Sequence, residues 1–267
     1  MNIVLWIGDA PNQKALANKL HSILPIAGIV TETRKQKPRL SFSKITEKII
    51  EKIFLNKISR SWFGLMNYYE KKYPDYPDTK FLNVENINSD LAYDFTDQLK
   101  PDLVVVSGTS LIRKKLLSLK PSIGIINLHT GLSPYIKGGP NCTNWCIATK
   151  QFHLIGNTVM WIDAGIDTGN IIATEFTSFT GSESLAEVHI KVMEHAHDLY
   201  IRSMQKLNSG MKTNVPQNNI DKGITYYTRQ WRLKQKIGLV RNFKSFKKEI
   251  NSSAYRERQQ TIKLVSI

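Results

Sequence analysis

The sequence predicts an α/β fold: an open, mostly parallel β-sheet flanked by helices, with a helical insertion at 34–78 and a basic C-terminal extension at 206–267. Short apolar runs of strand length alternate with longer amphipathic stretches of helical spacing, the pattern of βαβ units. The run 102–107 (DLVVVS) is apolar almost throughout, as in a central strand covered on both faces. The richest polar motif starts where another such run ends, and open α/β sheets bind ligands outside the carboxyl ends of their strands.

Taken in order, residues 2–7 (NIVLWI) read as a buried strand closed by Gly8-Asp9. Gly8 is a lone turn glycine, not part of a dinucleotide fingerprint. Ala15, Leu16, Leu20, Ile23 and Leu24 share one face of a helix over 13–24, and 26–31 returns as a strand. Ile45, Ile49, Ile53 and Phe54, then Trp62, Phe63 and Met66, recur at helical spacing among lysines. They predict two short amphipathic helices whose apolar stripe joins the core and does not anchor in a membrane. Pro74, Asp75, Pro77 and Asp78 form a loop. A strand at 80–84 and a helix at 89–99 precede the central strand. Further strands follow at 123–128, 154–162 and 170–179, the last two as neighbours, then a long amphipathic helix at 183–208. The main domain is thus 1–205. Beyond Asn208 the chain is polar and basic, with no clear core stripe.

Lys and Arg number 37 against 22 Asp and Glu, a formal charge of +15, which predicts anionic partners. The charge lies in the flanks: eleven Lys/Arg between Arg34 and Lys72, twelve from Lys222 onward, and a nearly neutral centre at 121–170. Cys142 and Cys146 have no second pair elsewhere, so no disulfide or metal framework is expected and both read as packing residues. The start lacks a basic segment followed by a long apolar one, and no run approaches the ~18 apolar residues of a membrane span. A cytoplasmic location is therefore expected.

The chemistry concentrates in INLHTGLSPYIKGGPNCTNW (126–145) and GNTVMWIDAGIDTGNII (156–172). Asn127 and His129 are two apart on extended chain, so their side chains share a face. Asp167 follows at a turn between two strand-like runs. Acyl transfer to an amine builds an oxyanion and releases a proton. An Asn amide can stabilise the first, an imidazole can carry the second, and a carboxylate can orient the imidazole or a water. No G-x-S-x-G nucleophile elbow is present, which suits direct transfer through a tetrahedral intermediate.

The order Asn127-x-His129, Pro134, Gly138 resembles the signature of folate-dependent formyltransferases. Gly156, Thr158, Val159, Trp161, Ile166-Asp167 and Gly169 are similar to that family's second motif. The resemblance covers about 1–205 and implies a Rossmann-like core, a catalytic trio of Asn127, His129 and Asp167, and N10-formyltetrahydrofolate as donor, with no metal. It places the donor's pterin at Gly108, Thr109, Ser110, Leu111 and Ile112 and along Trp161, Ile162, Asp163 and Ile166. One departure stands out: the family usually carries Pro-Ser after the histidine, where this chain has Thr130-Gly131.

The extension points to the acceptor. It is shorter and more helical than the β-rich C-terminal domain of the methionyl-tRNA enzymes, and the purine enzymes end near the long helix. The chain is most similar to the sugar N-formyltransferase branch, whose acceptors are nucleotide-linked amino sugars. Basic flanks could neutralise a pyrophosphate, and Tyr226, Tyr227 and Trp231 could stack on a base. The alternatives are another small amine, methionyl-tRNA, or a non-enzymatic basic nucleic-acid-binding module on an inactive fold. No stable nucleic-acid partner is expected, and a homodimer is an open possibility.

Overall fold

The computed structural model describes residues 1–34, 55–211 and 213–267. Its centre is a seven-stranded sheet of order β3-β2-β1-β4-β5-β7-β8. The strands are β1 (Ile3–Gly8), β2 (Ile26–Glu32), β3 (Lys80–Val84), β4 (Leu103–Ser107), β5 (Gly124–His129), β7 (Gly156–Trp161) and β8 (Ile171–Phe176). The pairings from β3 through β5 are parallel; β7 is antiparallel to both β5 and β8. A second, two-stranded sheet joins β6 (Ile136–Gly138) to β9 (Ile224–Tyr226) in parallel.

The period of two along each strand divides the core. Ile3, Leu5 and Ile7 bury against Leu16 and Leu20 of α1 (Pro11–His21) and against Leu199, Tyr200 and Met204 of α6 (Leu185–Asn208). Val4 and Trp6 point the other way, into a cluster with Val104, Val106, Ala92 of α3 (Asp90–Leu99) and Leu116 of α4 (Lys114–Leu117). Trp6 Nε1 donates to Thr96 Oγ1 at 3.0 Å, which satisfies the one polar atom of a fully buried indole. Ser184 and Glu187 close a capping box on the long helix, so it starts where its first orphan N–H groups find partners.

Two expectations need correction. In α2 (Asn56–Lys72) the buried face is Ser61, Leu65 and Tyr69, at spacings of four. Trp62 and Phe63, expected in the core stripe, are 47% and 72% exposed, because one residue along a helix is a turn of ~100°. Met66 does pack beside Leu65. The other expected helix, with Ile45, Ile49, Ile53 and Phe54, lies outside the described residues. Among those described, no helix is long and apolar enough to cross a membrane.

The extension does have a core stripe. In α7 (Leu233–Glu249) and just past it, Leu239, Phe243, Phe246 and Ile250 bury with Tyr255 of α8 (Ser253–Gln260). They share one cluster with Trp145 and Ile147 of α5 (Cys142–Ala148), Phe152, and Leu185 and Val188 of α6. Lys244, Lys247 and Lys248 are interleaved with the aromatic positions and hide the stripe from a reading by composition.

Candidate active site

Strand β5 carries Asn127 and His129 to the carboxyl edge of the sheet. Its height is set by Tyr200, whose buried hydroxyl donates to Ile126 O at 2.8 Å and accepts from Val106 N–H at 3.1 Å. One side chain thus ties β4 to β5 next to Asn127. His129 is 8% exposed. Its Nδ1 lies 3.4 Å from Asp167 Oδ2, and the same oxygen accepts from Gly138 N–H at 3.1 Å. The His–Asp separation is long for a strong hydrogen bond. In sites without reactants such contacts are often long and tighten on binding. The side chain of Asn127 makes no hydrogen bond among the described residues and lines a cleft of about 320 Å³.

That cleft gathers the residues expected to hold the donor. Gly108, Thr109, Ser110, Leu111 and Ile112 line it, as do Trp161, Ile162, Asp163 and Ile166, together with Asp167. Leu111 and Ile166 are 49% and 48% exposed, apolar flanks suited to a flat heterocycle amid backbone polar groups. Asp163 also shapes its own loop: Oδ1 accepts from Gly165 N–H at 2.9 Å and Thr168 Oγ1 at 2.6 Å. Among the described residues, no group of three or more His, Cys, Asp or Glu side chains is arranged to hold a metal.

Several contributors escaped the sequence reading. Glu32, 2% exposed at the end of β2, accepts from Ser110 N–H at 2.6 Å and Ile87 N–H at 2.9 Å, and so orders the 108–112 loop from below. Arg34 donates to Gly108 O at 3.2 Å and lines the cleft, a member of the basic flank at the site itself. Cys142 Sγ lies 3.5 Å from His129 Nε2 and 3.5 Å from Gly138 O. Burial, then Cys146 and Asp167, push the Cys142 thiol well above its ordinary range, so it remains a neutral thiol. Gly131 makes this contact possible, since a Cβ there would sit 2.4 Å from His129 Nε2. The departure from Pro-Ser to Thr130-Gly131 therefore has a steric counterpart in Cys142.

Two of the three aromatics expected to stack on a base are used inside the fold. Tyr226 stacks on Trp145 at 4.0 Å and Trp231 meets the same indole edge-on at 4.9 Å, whereas Tyr227 is 45% exposed. The stacking partner, Trp145, is distant in sequence, so nothing local announced it.

The extension also reaches the loop of Asp167. Asp167 has φ +51°, a left-handed conformation that costs energy for any side chain. Gln217, 6% exposed, holds it there: Nε2 donates to Asp167 O and to Gly169 O, both at 2.8 Å. Across the site, Gly139 N–H donates to Tyr226 O at 3.0 Å, and Gly138, at φ +87°, has no room for a Cβ, which would lie 2.0 Å from that oxygen. Replacing Gln217 with Ala is expected to lower the turnover number ~10- to 100-fold with little change in either substrate's KM, because the carboxylate is displaced and the binding surfaces are not. Steady-state kinetics check this; a KM effect without a kcat effect would show that Gln217 serves binding instead.

The geometry finds its counterpart in known proteins. Residues 2–204 match the family described as formyl transferase. The chain belongs to that family. Among its relatives is the methionyl-tRNA formyltransferase of Methylacidiphilum infernorum, 33% identical over 135 residues, which are 51% of this chain and 42% of that protein. The chain thus spans less than half the length of this curated relative. In structure it is similar to a sugar N-formyltransferase from Shewanella sp FDAARGOS_354, with a TM-score of 0.59 and 15% identity over 91% of this chain and 88% of that one. A formyltransferase from Anoxybacillus kamchatkensis, solved with a UDP-linked formamido sugar and tetrahydrofolate, gives a TM-score of 0.50 and 16% identity over 86% and 87%. At these identities the likeness is one of fold, and it matches the Rossmann-like core expected from the sequence.

Proposed function

We propose that this chain transfers a formyl group from N10-formyltetrahydrofolate to the amine of a nucleotide-linked amino sugar, directly and without a covalent enzyme intermediate. The observation that carries the reading is the convergence of Asn127, His129 and Asp167 at the end of β5, beside a cleft lined by 108–112 and by the loop that bears Asp167. Family membership supports formyl chemistry. The tetrahydrofolate and UDP-linked sugar bound by the A. kamchatkensis protein support the donor and acceptor classes. The methionyl-tRNA relatives support the tRNA alternative. The extension weighs against it: among the described residues it is built mainly of α7 and α8, helices packed on α5 and α6, and not of a β-rich domain.

Bound in the cleft, the donor supplies an activated formyl group. Asn127, whose amide makes no hydrogen bond among the described residues, donates to the carbonyl oxygen as negative charge grows there. Asp167 orients His129, which would take the amine's proton, directly or through a water held by Asp167, and return it to the donor's nitrogen as the donor's carbon–nitrogen bond breaks.

A donor that binds only the folded chain raises its melting temperature. At a hundred times its Kd, 5-formyltetrahydrofolate is expected to raise Tm by about 5–10 °C. No shift and no calorimetric heat at saturation would remove folate as the donor.

A further inference from the structure

A second cavity, of about 670 Å³, lies where α2, the start of α5, α6 and α7 meet, and shares no lining residue with the cleft of Asn127 and Asp167 among the described residues. One short loop connects the two. Gly138 donates to Asp167, Pro140 and Asn141 line the second cavity, and Cys142 contacts His129 Nε2. A ligand in this cavity therefore touches the loop that contacts His129 and Asp167, away from the residues expected to hold folate.

Two buried polar side chains line it. Asn144, 9% exposed, lines it with Oδ1 buried and without a hydrogen-bond partner. His189, 5% exposed, lines it too and makes no hydrogen bond among the described residues. Burial pushes the His189 imidazole down to about 4, so at neutral pH it is uncharged and offers one donor and one acceptor. Buried polar atoms are seldom left unpaired in folded proteins, and a ligand that bonds them recovers the cost. At the rim stands Trp62, an indole 47% exposed where the helical pattern predicted burial.

An amide oxygen that needs a donor, next to an imidazole N–H that needs an acceptor, complements an imide edge such as that of uracil or thymine. Resting on the proposed sugar-formylating function, we propose that this cavity holds the nucleoside end of the acceptor, with a pyrimidine base stacked on Trp62 and its edge on Asn144 and His189. The amino sugar then extends toward Pro140 and Asn141, whose loop leads to Cys142 beside His129. The cavity acts as a handle remote from the chemistry, and remote binding energy positions the reacting amine.

The test is calorimetric titration of UDP and dTDP into the chain of 267 residues and its Trp62→Ala and Asn144→Leu variants, with 5-formyltetrahydrofolate as control. Trp62 is half exposed, so its truncation leaves the core intact. Each variant is expected to weaken nucleotide binding about tenfold or more, the scale of a lost base–aromatic stack, with folate binding unchanged. Absence of nucleotide binding to the wild type, or an unchanged Kd in both variants, would overturn the assignment. Assaying the same proteins on nucleotide-linked amino sugars separates this from the general function. Sugar formylation with a KM indifferent to Trp62 overturns the cavity alone. Nucleotide binding that depends on Trp62, without turnover of any sugar, upholds the cavity and removes the sugar reading.

Discussion

Replacing Asn127 with Ala, His129 with Ala, or Asp167 with Asn is expected to leave a folded protein whose formyl transfer is reduced at least ~100-fold, the scale of lost oxyanion or acid–base help. Asn is chosen at Asp167 because it keeps the shape and tolerates the φ of +51° there, where Ala would add backbone strain. The three effects are expected not to add. His129 and Asp167 form one unit, with Asp167 Oδ2 3.4 Å from Nδ1, so a double variant should lose little more than either single one. Thermal melts of each variant check folding, and single-turnover rates check chemistry. Near-normal turnover in any one of them removes that residue from the mechanism.

The second large effect concerns the extension. Phe246 is fully buried, with Phe152 and Phe179 edge-on at 5.5 and 5.4 Å. Phe246→Ala is expected to cost about 3–5 kcal/mol, a large part of the 5–15 kcal/mol that typically separates folded from unfolded protein. Urea denaturation at constant m measures it. For the same reason, removal of 222–267 should strip cover from Trp145 and Phe152 and yield unfolded or aggregated chain, not a clean defect in acceptor binding. A loss under about 1 kcal/mol for Phe246→Ala would mean that the extension sits on the core without sharing it.

How much was legible in the sequence differed from element to element. The strand at 103–107 was readable because a buried parallel strand is apolar at nearly every position, a signal independent of its neighbours. The meeting of Asn127, His129 and Asp167 at one strand end was readable because they stand in two motifs of fixed order. What could not be read depends on partners far along the chain. Gln217 bonds a loop 50 residues before it, Trp145 meets Tyr226 and Trp231, and Glu32 supports Ser110 across 78 residues. None of the three has a local pattern. The phase of α2 was missed for a related reason: Trp62 and Phe63 look like core by hydrophobicity, but Tyr69, with its ring beside His197, decides which face turns inward.

The central claim, formyl transfer from folate to an amino sugar on a nucleotide, is tested most directly by one turnover assay. The full chain is incubated with N10-formyltetrahydrofolate and a panel of UDP- and dTDP-linked 3- and 4-amino sugars. Aminoacylated initiator tRNA runs in parallel, and products are read by mass spectrometry. The expected result is a formamido sugar nucleotide formed by the wild type and absent with the Asp167→Asn variant. Formylation of the tRNA and of no sugar, or sugar formylation that survives Asp167→Asn undiminished, would contradict it.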